Sequence, residues 1–131
     1  PAQIYSIQFV PQGGAGVVLK SEDPKMVPIL IGEFEAQALL MAAQKLDTPQ
    51  PMPYDLMQTV MERAQSPLRQ VVIHSLKEHI FYAYLLIETP EKPLLLDCRP
   101  SDGLIMAVRL EVPIYLTPEV IEQAGVEPEE P

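Results

Sequence analysis

"LLLDCRPSDGLIMAVRL", Leu94 to Leu110, changes character partway along. Leu94, Leu95 and Leu96 form an apolar run of strand character, and Asp97, Arg99 and Asp102 then interrupt it. From Gly103 onward the chain is apolar on almost every side of a helical wheel, which predicts a short, well-buried helix over residues 101–110. The segment is therefore a strand-to-helix corner that carries three charges. Those charges either do chemistry or end a strand and start a helix.

The totals bound the answer. A chain of 131 residues suggests one domain. Folding at this length buries roughly two-thirds of the unfolded surface, enough for a core without staples. The apolar content of 47% fits a globular protein. Cys98 is the single cysteine, so no internal disulfide forms and a reducing compartment is expected. The first residues lack the basic segment and apolar core of a signal peptide, and no run reaches the ~18 apolar residues of a membrane span. The expectation is a soluble, cytoplasmic protein. Eighteen acids against nine bases give a net charge of −9. Non-specific affinity for nucleic acid comes mainly from Lys and Arg, which here are scattered. A nucleic-acid partner would be held weakly or through a bridging cation.

Outward from the corner, residues 4–10 alternate as a half-buried strand, "PQGGAG" makes a turn, and residues 17–20 and 26–32 supply two further strands of a meander. Residues 33–46 are rich in helix formers, with Leu39, Leu40, Ala43 and Leu46 as the apolar stripe. "DTPQPMP" is a connector, and residues 54–64 form a second amphipathic helix with Leu56, Met57, Val60, Met61 and Ala64 inward. Residues 68–76 and 80–88 are strands around a hairpin at "KEH"; the second is apolar on both faces and expected to be central. After the corner come the strand "VPIYL" and a closing helix, with Thr117 as N-cap, Pro118 at its first position and Gly125 near its stop. The fold class is α+β, a single compact domain with a mixed or antiparallel sheet of about six to seven strands and about four helices. The domain is placed over residues 1–123, and residues 124–131 are expected to be a disordered acidic, proline-rich tail.

There is an internal echo. "LMAAQKLDTP" (40–49) aligns without gaps on "LIMAVRLEVP" (104–113), and in that register Glu33 falls opposite Asp97. Both copies run strand, acidic corner, helix, proline, so two equivalent strand-to-helix corners stand out.

At these corners the sequence resembles a known family. "PILIGEFEAQALLMA" is similar to its I-G-x-x-E-A corner, and "LDCRPSDGLIMAVR…VPIY" to its D-x-R-P-S-D-A-[IL]-x-[IL]-A segment. "PYDLM" and "VVIHSLKEHIFYAYL" lie between them in the expected order. This is the bifunctional nuclease domain family, and the resemblance covers roughly residues 5–125. It implies a compact α+β domain and, as described for plant members, RNase and DNase activity. Two departures stand out: Gly103 replaces the usual Ala, and Pro53-Tyr54 replaces the Thr-His that commonly precedes Asp55. If that histidine acts as a base, Tyr54 is no substitute near neutral pH, because a tyrosine titrates near ~10.

Hydrolysing a phosphodiester without a covalent intermediate calls for an activated water and stabilised phosphoryl charge, and carboxylates holding Mg²⁺ or Mn²⁺ supply both. Glu33, Glu35, Asp97 and Asp102 are the candidate metal ligands. Asp97, Arg99, Asp102 and Glu35 are the candidate catalytic residues, with Arg99 as phosphate clamp and Ser101 or the helix amides assisting. No organic cofactor is expected. The structural reading covers the same residues: Asp97 and Arg99 pair across one strand face, Ser101 caps the helix, and Asp102, Glu33 and Glu35 sit beside positive helix ends. What favours a site is the setting, since a charge cluster wedged between apolar runs costs desolvation. The alternative function is a non-catalytic oligomeric domain that binds a protein partner or small ligand. Strand edges and the apolar content favour a homodimer. His74 and His79 lack zinc-like spacing, Cys98 reads as a small buried hydrophobe, and "QGGAG" lacks the Lys of a phosphate loop.

Overall fold

In a computed structural model, which describes residues 1–45 and 53–127, the chain runs β1 (Ala2–Phe9), β2 (Ala15–Ser21), β3 (Val27–Ile31), α1 (Glu33–Ala43), α2 (Pro53–Arg63), β4 (Leu68–Lys77), β5 (Ile80–Glu88), β6 (Pro93–Cys98), α3 (Pro100–Leu110), β7 (Ile114–Leu116) and α4 (Pro118–Ala124). All seven strands join one mixed sheet in the order β3-β2-β1-β7-β4-β5-β6. The meander β1-β2-β3 is antiparallel throughout, with Gly13 (φ +99°) and Gly14 (φ +83°) turning the chain between β1 and β2. β4 and β5 form a hairpin across Glu78 and His79, both at positive φ as a two-residue turn of this hand requires. β7 runs parallel to β4 and antiparallel to β1, and so joins the two halves.

The sheet has to curl. Flat, its edge strands β3 and β6 would stand roughly 29 Å apart, six spacings of ~4.8 Å. Yet Glu35, four residues beyond β3, and Arg99, the first residue after β6, meet at 3.2 Å. α3 fills the space the curl encloses: Ser101 and every residue from Gly103 to Ala107 are buried. They pack with Leu39 of α1, Val17 and Leu19 of β2, Val71 and Ile73 of β4, and Leu85 of β5 in one core.

Several expectations shift once the elements pack. α1 buries Ala36, Leu39 and Ala42, so its inward stripe is rotated from the expected one: Ala43 is exposed and Leu46 lies outside the described residues. α2 buries none of its residues fully. Met57 and Met61 pack against the core, while Leu56 and Val60 stay 54% and 65% exposed over a groove shared with Leu94 and Leu96. β5 is flanked on both sides, as its apolar faces require, but the middle of the sheet belongs to the three-residue β7. β6 is an edge strand, with Leu94, Leu95 and Leu96 at 43%, 59% and 44% exposure. This apolar run is therefore largely on the surface. α4 begins and ends as expected: the Thr117 hydroxyl accepts from the Val120 amide, Pro118 opens the helix and Gly125 closes it. Val126 pairs with Met26 in an isolated bridge, so the start of the expected tail is tied to the sheet edge; residues 128–131 lie outside the described residues.

Gly103, where the family pattern has Ala, lies against β4: a Cβ built there comes within 2.7 Å of Val71 Cγ1. Alanine gains about 1 kcal/mol of helix propensity, but a β-branched valine inside a packed sheet gives way poorly, and overpacking costs about 1–3 kcal/mol. Gly103→Ala is expected to lower the melting temperature, and Gly103→Ala/Val71→Ala to be more stable than the sum of its single changes. Thermal melts of the four-member cycle measure it; additive effects would mean the two positions do not touch.

Candidate functional site

The two corners found in the sequence meet. β3 delivers α1 and β6 delivers α3 to the same place, because the curl brings the two sheet edges together. Under the internal echo, Arg99 and Glu35 occupy equivalent positions, 64 residues apart, and these two side chains pair with each other. The echo thus corresponds to two corners facing one another.

Arg99 is the hub. Its Nε donates to Asp102 Oδ2 at 2.9 Å and its Nη2 to Asp102 Oδ1 at 2.8 Å, a two-pronged bond that fixes the guanidinium plane. Its Nη1 donates to Glu35 Oε1 at 3.2 Å. From α2, the Tyr54 hydroxyl donates to Asp102 Oδ1 at 2.9 Å. Three helices are thereby tied through Arg99 and Asp102 together. A second tie joins α2 to α3, where Arg109 pairs with Asp55 and its Nε donates to Gln58 Oε1 at 2.8 Å.

Exposure separates the roles. The Arg99 side chain is 62% exposed, against 22% for Asp102 and 24% for Glu35. Arg99, Glu35 and Ser101 line one end of an open cleft of about 650 Å³ between β3 and the β4–β5 hairpin. Asp102 and Tyr54 stand behind Arg99 and hold it. This reverses the desolvation argument from the sequence: the cluster lies at a cleft mouth, where an ion pair costs little to keep.

Burial works to raise the Asp102 carboxyl, but the hydrogen bonds from Arg99 and Tyr54 and the Arg99 charge outweigh it and hold the group below the usual carboxylate range. The same bonds raise Arg99 further, against a smaller opposing effect of burial. Tyr54 is pushed up to about 12, by burial first and then by donating to Asp102, so it serves as a donor and not as a base. Burial, and next the Asp102 charge, push the Cys98 thiol up to about 11, in keeping with a packed hydrophobe. Because the Asp102 carboxyl is depressed in the folded state, its stabilisation is present above about pH 4 and lost as pH falls through the lower folded value. Asp102→Asn is expected to melt lower than the parent at pH 7, with the gap closing as pH falls below about 4. Melting curves across that range test it, and a pH-independent gap would remove the carboxylate from the account.

The remaining candidates are not drawn in. Asp97 does not pair with Arg99; it lies exposed on β6 in register with Tyr84. Glu33 is exposed in the first turn of α1. Ser101 is no cap: Arg99 holds the N-cap position without a side-chain bond, Pro100 opens the helix, and Ser101 is buried in the first turn. Of the four proposed metal ligands, only Glu35 and Asp102 come together, and the Arg99 guanidinium lies between them as their counter-charge. Among the described residues no group of three or more His, Cys, Asp and Glu side chains is placed to hold a metal ion. The arrangement does not fit a divalent-ion site with Arg99 seated. His74 stacks at a tilt on Tyr84 at 5.4 Å and accompanies Ser75 at 2.8 Å, apart from the cluster. In the sequence Tyr54 stands out only as the departure from the family's histidine. Its membership was readable from α2, where positions 54, 57 and 61 follow helical spacing and are the residues that pack inward.

The fold and cluster define a class: a single α+β domain whose curled sheet presents an arginine, gripped by carboxylates from two facing helix starts, at the mouth of a cleft. The sequence pattern of the bifunctional nuclease domain matches residues 17–129, and the chain belongs to that family. It is 35% identical over 102 residues to an uncharacterized protein of Mycobacterium tuberculosis, covering 78% of this chain and 60% of that protein. It is 29% identical over 120 residues to Bifunctional nuclease 1 of Oryza sativa subsp. japonica, covering 88% of this chain and 36% of that protein. Against Bifunctional nuclease 2 of Arabidopsis thaliana it is 27% identical over 127 residues, covering 87% and 39% respectively. The chain thus spans less than two-thirds of these relatives. No helix among the described residues is long and apolar enough to cross a membrane.

Proposed function

We propose that this domain is a nuclease that hydrolyses phosphodiester bonds of RNA and DNA at the Arg99–Glu35 end of the cleft. The observation that carries the reading is the Arg99 guanidinium: Asp102 fixes its plane while much of the side chain remains open to the cleft. A planar donor held in advance suits a phosphate oxygen and the charge that grows on it during attack. Glu35 lines the same cleft end and is the carboxylate placed to take a proton from an attacking water or ribose hydroxyl. As the new P–O bond forms the ester P–O bond breaks, and the departing oxygen takes its proton from solvent. Asp102 and Tyr54 are positioning residues that act through Arg99. Family membership and the names of the plant relatives support the reading.

The test is cleavage of labelled single-stranded RNA and DNA by highly purified protein, with parallel arms in Mg²⁺, Mn²⁺ and chelator. Glu35→Gln and Asp102→Asn are run beside the parent, with folding checked by melting. Cleavage that fades in both folded variants supports the site. Equal cleavage by parent and variants would place the activity elsewhere, and the cation arms decide metal dependence.

The second reading, an oligomeric binding domain, draws on β6. Three consecutive exposed leucines on a strand with one unpaired edge are what soluble proteins normally blunt with charge or proline. A second copy adding to this edge would cover them and give the expected homodimer. Leu95→Lys is then expected to convert a dimer to a monomer in sedimentation velocity without lowering the melting temperature of the monomer. A parent that sediments as a monomer at micromolar concentration defeats the idea.

A further inference from the structure

The cleft beside Arg99 is larger than a phosphate clamp needs, and away from its polar end it changes character. Beyond Arg99 and Glu35 it is walled by Ile29 and Leu30 of β3, Leu76 of β4, and Ile80 and Phe81 of β5. Phe81 is half-buried against the core, so its ring is fixed in place by the packing beneath it. Leu30 and Ile80 are 81% and 56% exposed, two large apolar side chains lining the same cleft in an acidic protein. At about 650 Å³ the cleft is in the range of small-molecule sites, which pair an apolar body with a few polar groups.

The charge balance says what such a cleft does for a nucleic-acid substrate. With a net charge of −9 and no basic stripe, the chain cannot hold a strand by neutralising successive phosphates. Affinity has to come from another part of the nucleotide, and a base offers a flat apolar face to aromatic and aliphatic side chains. In a duplex that face is already stacked, and turning a base out costs free energy that the single cationic contact at Arg99 does little to offset.

We propose that the cleft between β3 and the β4–β5 hairpin binds one unpaired base of a single-stranded nucleic acid, against Phe81, Leu30 and Ile80, and so delivers the adjacent phosphate to Arg99. The choice of ligand rests on the nuclease reading. The site makes the domain selective for single strands and makes its binding only weakly dependent on salt, since about one phosphate contact sets a slope near −0.7 in log affinity against log salt.

The experiment is equilibrium anisotropy of a labelled single-stranded oligothymidylate and oligouridylate, and of a blunt duplex of the same length, in chelator so that binding is read apart from cleavage. The single strands are expected to bind at least about tenfold more tightly than the duplex. Leu30→Glu and Ile80→Glu, both at exposed rim positions, are expected to weaken single-strand binding about tenfold, as is Phe81→Leu, which keeps apolar volume but loses the ring. Tyr5→Glu, at an exposed position of β1 outside the cleft lining, is expected to leave single-strand binding unchanged. Equal binding of strands and duplex, parental binding by Leu30→Glu, or no binding by the parent would each overturn the proposal. The two readings fail separately. Single-strand binding lost in Leu30→Glu but without any cleavage removes the nuclease and keeps the base site, whereas cleavage untouched by all three cleft variants removes the base site and keeps the nuclease.

Discussion

Arg99→Lys is expected to reduce kcat on single-stranded substrate about a hundredfold, with a much smaller change in KM and little loss of stability. Lysine keeps the charge, so any role as a diffuse cation survives. It loses the fork, and with it the two-pronged bond to Asp102 that fixes the donor plane. A point charge on a flexible stem cannot hold that geometry and also present a second edge to the cleft. Removing one preorganised donor from a developing phosphoryl charge costs about 10²–10³ in kcat. The side chain is 62% exposed, so the melting temperature should barely move. Arg99→Ala supplies the complement: guanidinium salt added at millimolar concentration should restore part of its kcat, and Asp102→Asn should abolish that rescue. If Arg99→Lys cleaves like the parent, Arg99 holds helices together and clamps nothing.

The second large effect concerns stability. Leu104 is fully buried inside the curl, where α3 meets the sheet. Leu104→Ala is expected to cost about 3 kcal/mol, the transfer free energy of the lost methyl and methylene groups plus a cavity that rigid neighbours cannot close. For a domain of this size that lowers the melting temperature by roughly ten degrees. Leu95→Ala, a leucine of the same decisive stretch but 59% exposed, is expected to stay within about 0.5 kcal/mol of the parent. Chemical denaturation of the pair measures the contrast. Similar losses at both positions would mean that β6 is covered in solution. Near-neutrality at Leu104 would refute the packing of α3.

The contrast between these two leucines shows how far the sequence reaches. Strand, corner and helix were legible in residues 94–110 because they depend on local matters: residue type, spacing and a proline. The same holds for the Thr117 cap, the hairpin at Glu78 and His79, and the meander. Burial was not legible. Leu95 and Leu104 are chemically identical, and only their places in the sheet separate an edge from an interior. The phase of α1 shifted for the same reason: helical spacing offers several overlapping stripes, and the partner surface chooses among them.

Of the candidate site, residue types, the two corners and the family were all readable along the chain: this pattern builds an α+β domain and brings Glu33, Glu35, Asp97, Arg99 and Asp102 to strand-to-helix turns. Which of them meet depends on how the sheet closes. Curling the sheet joins its opposite edges, so Glu35 reaches Arg99 across 64 positions. Helix phase turns Asp102 toward the guanidinium and Tyr54 toward Asp102, while strand alternation leaves Asp97 on the outside. Local pattern is set by neighbours along the chain, whereas convergence is set by the closure of a whole sheet, to which every strand contributes and which no short segment encodes.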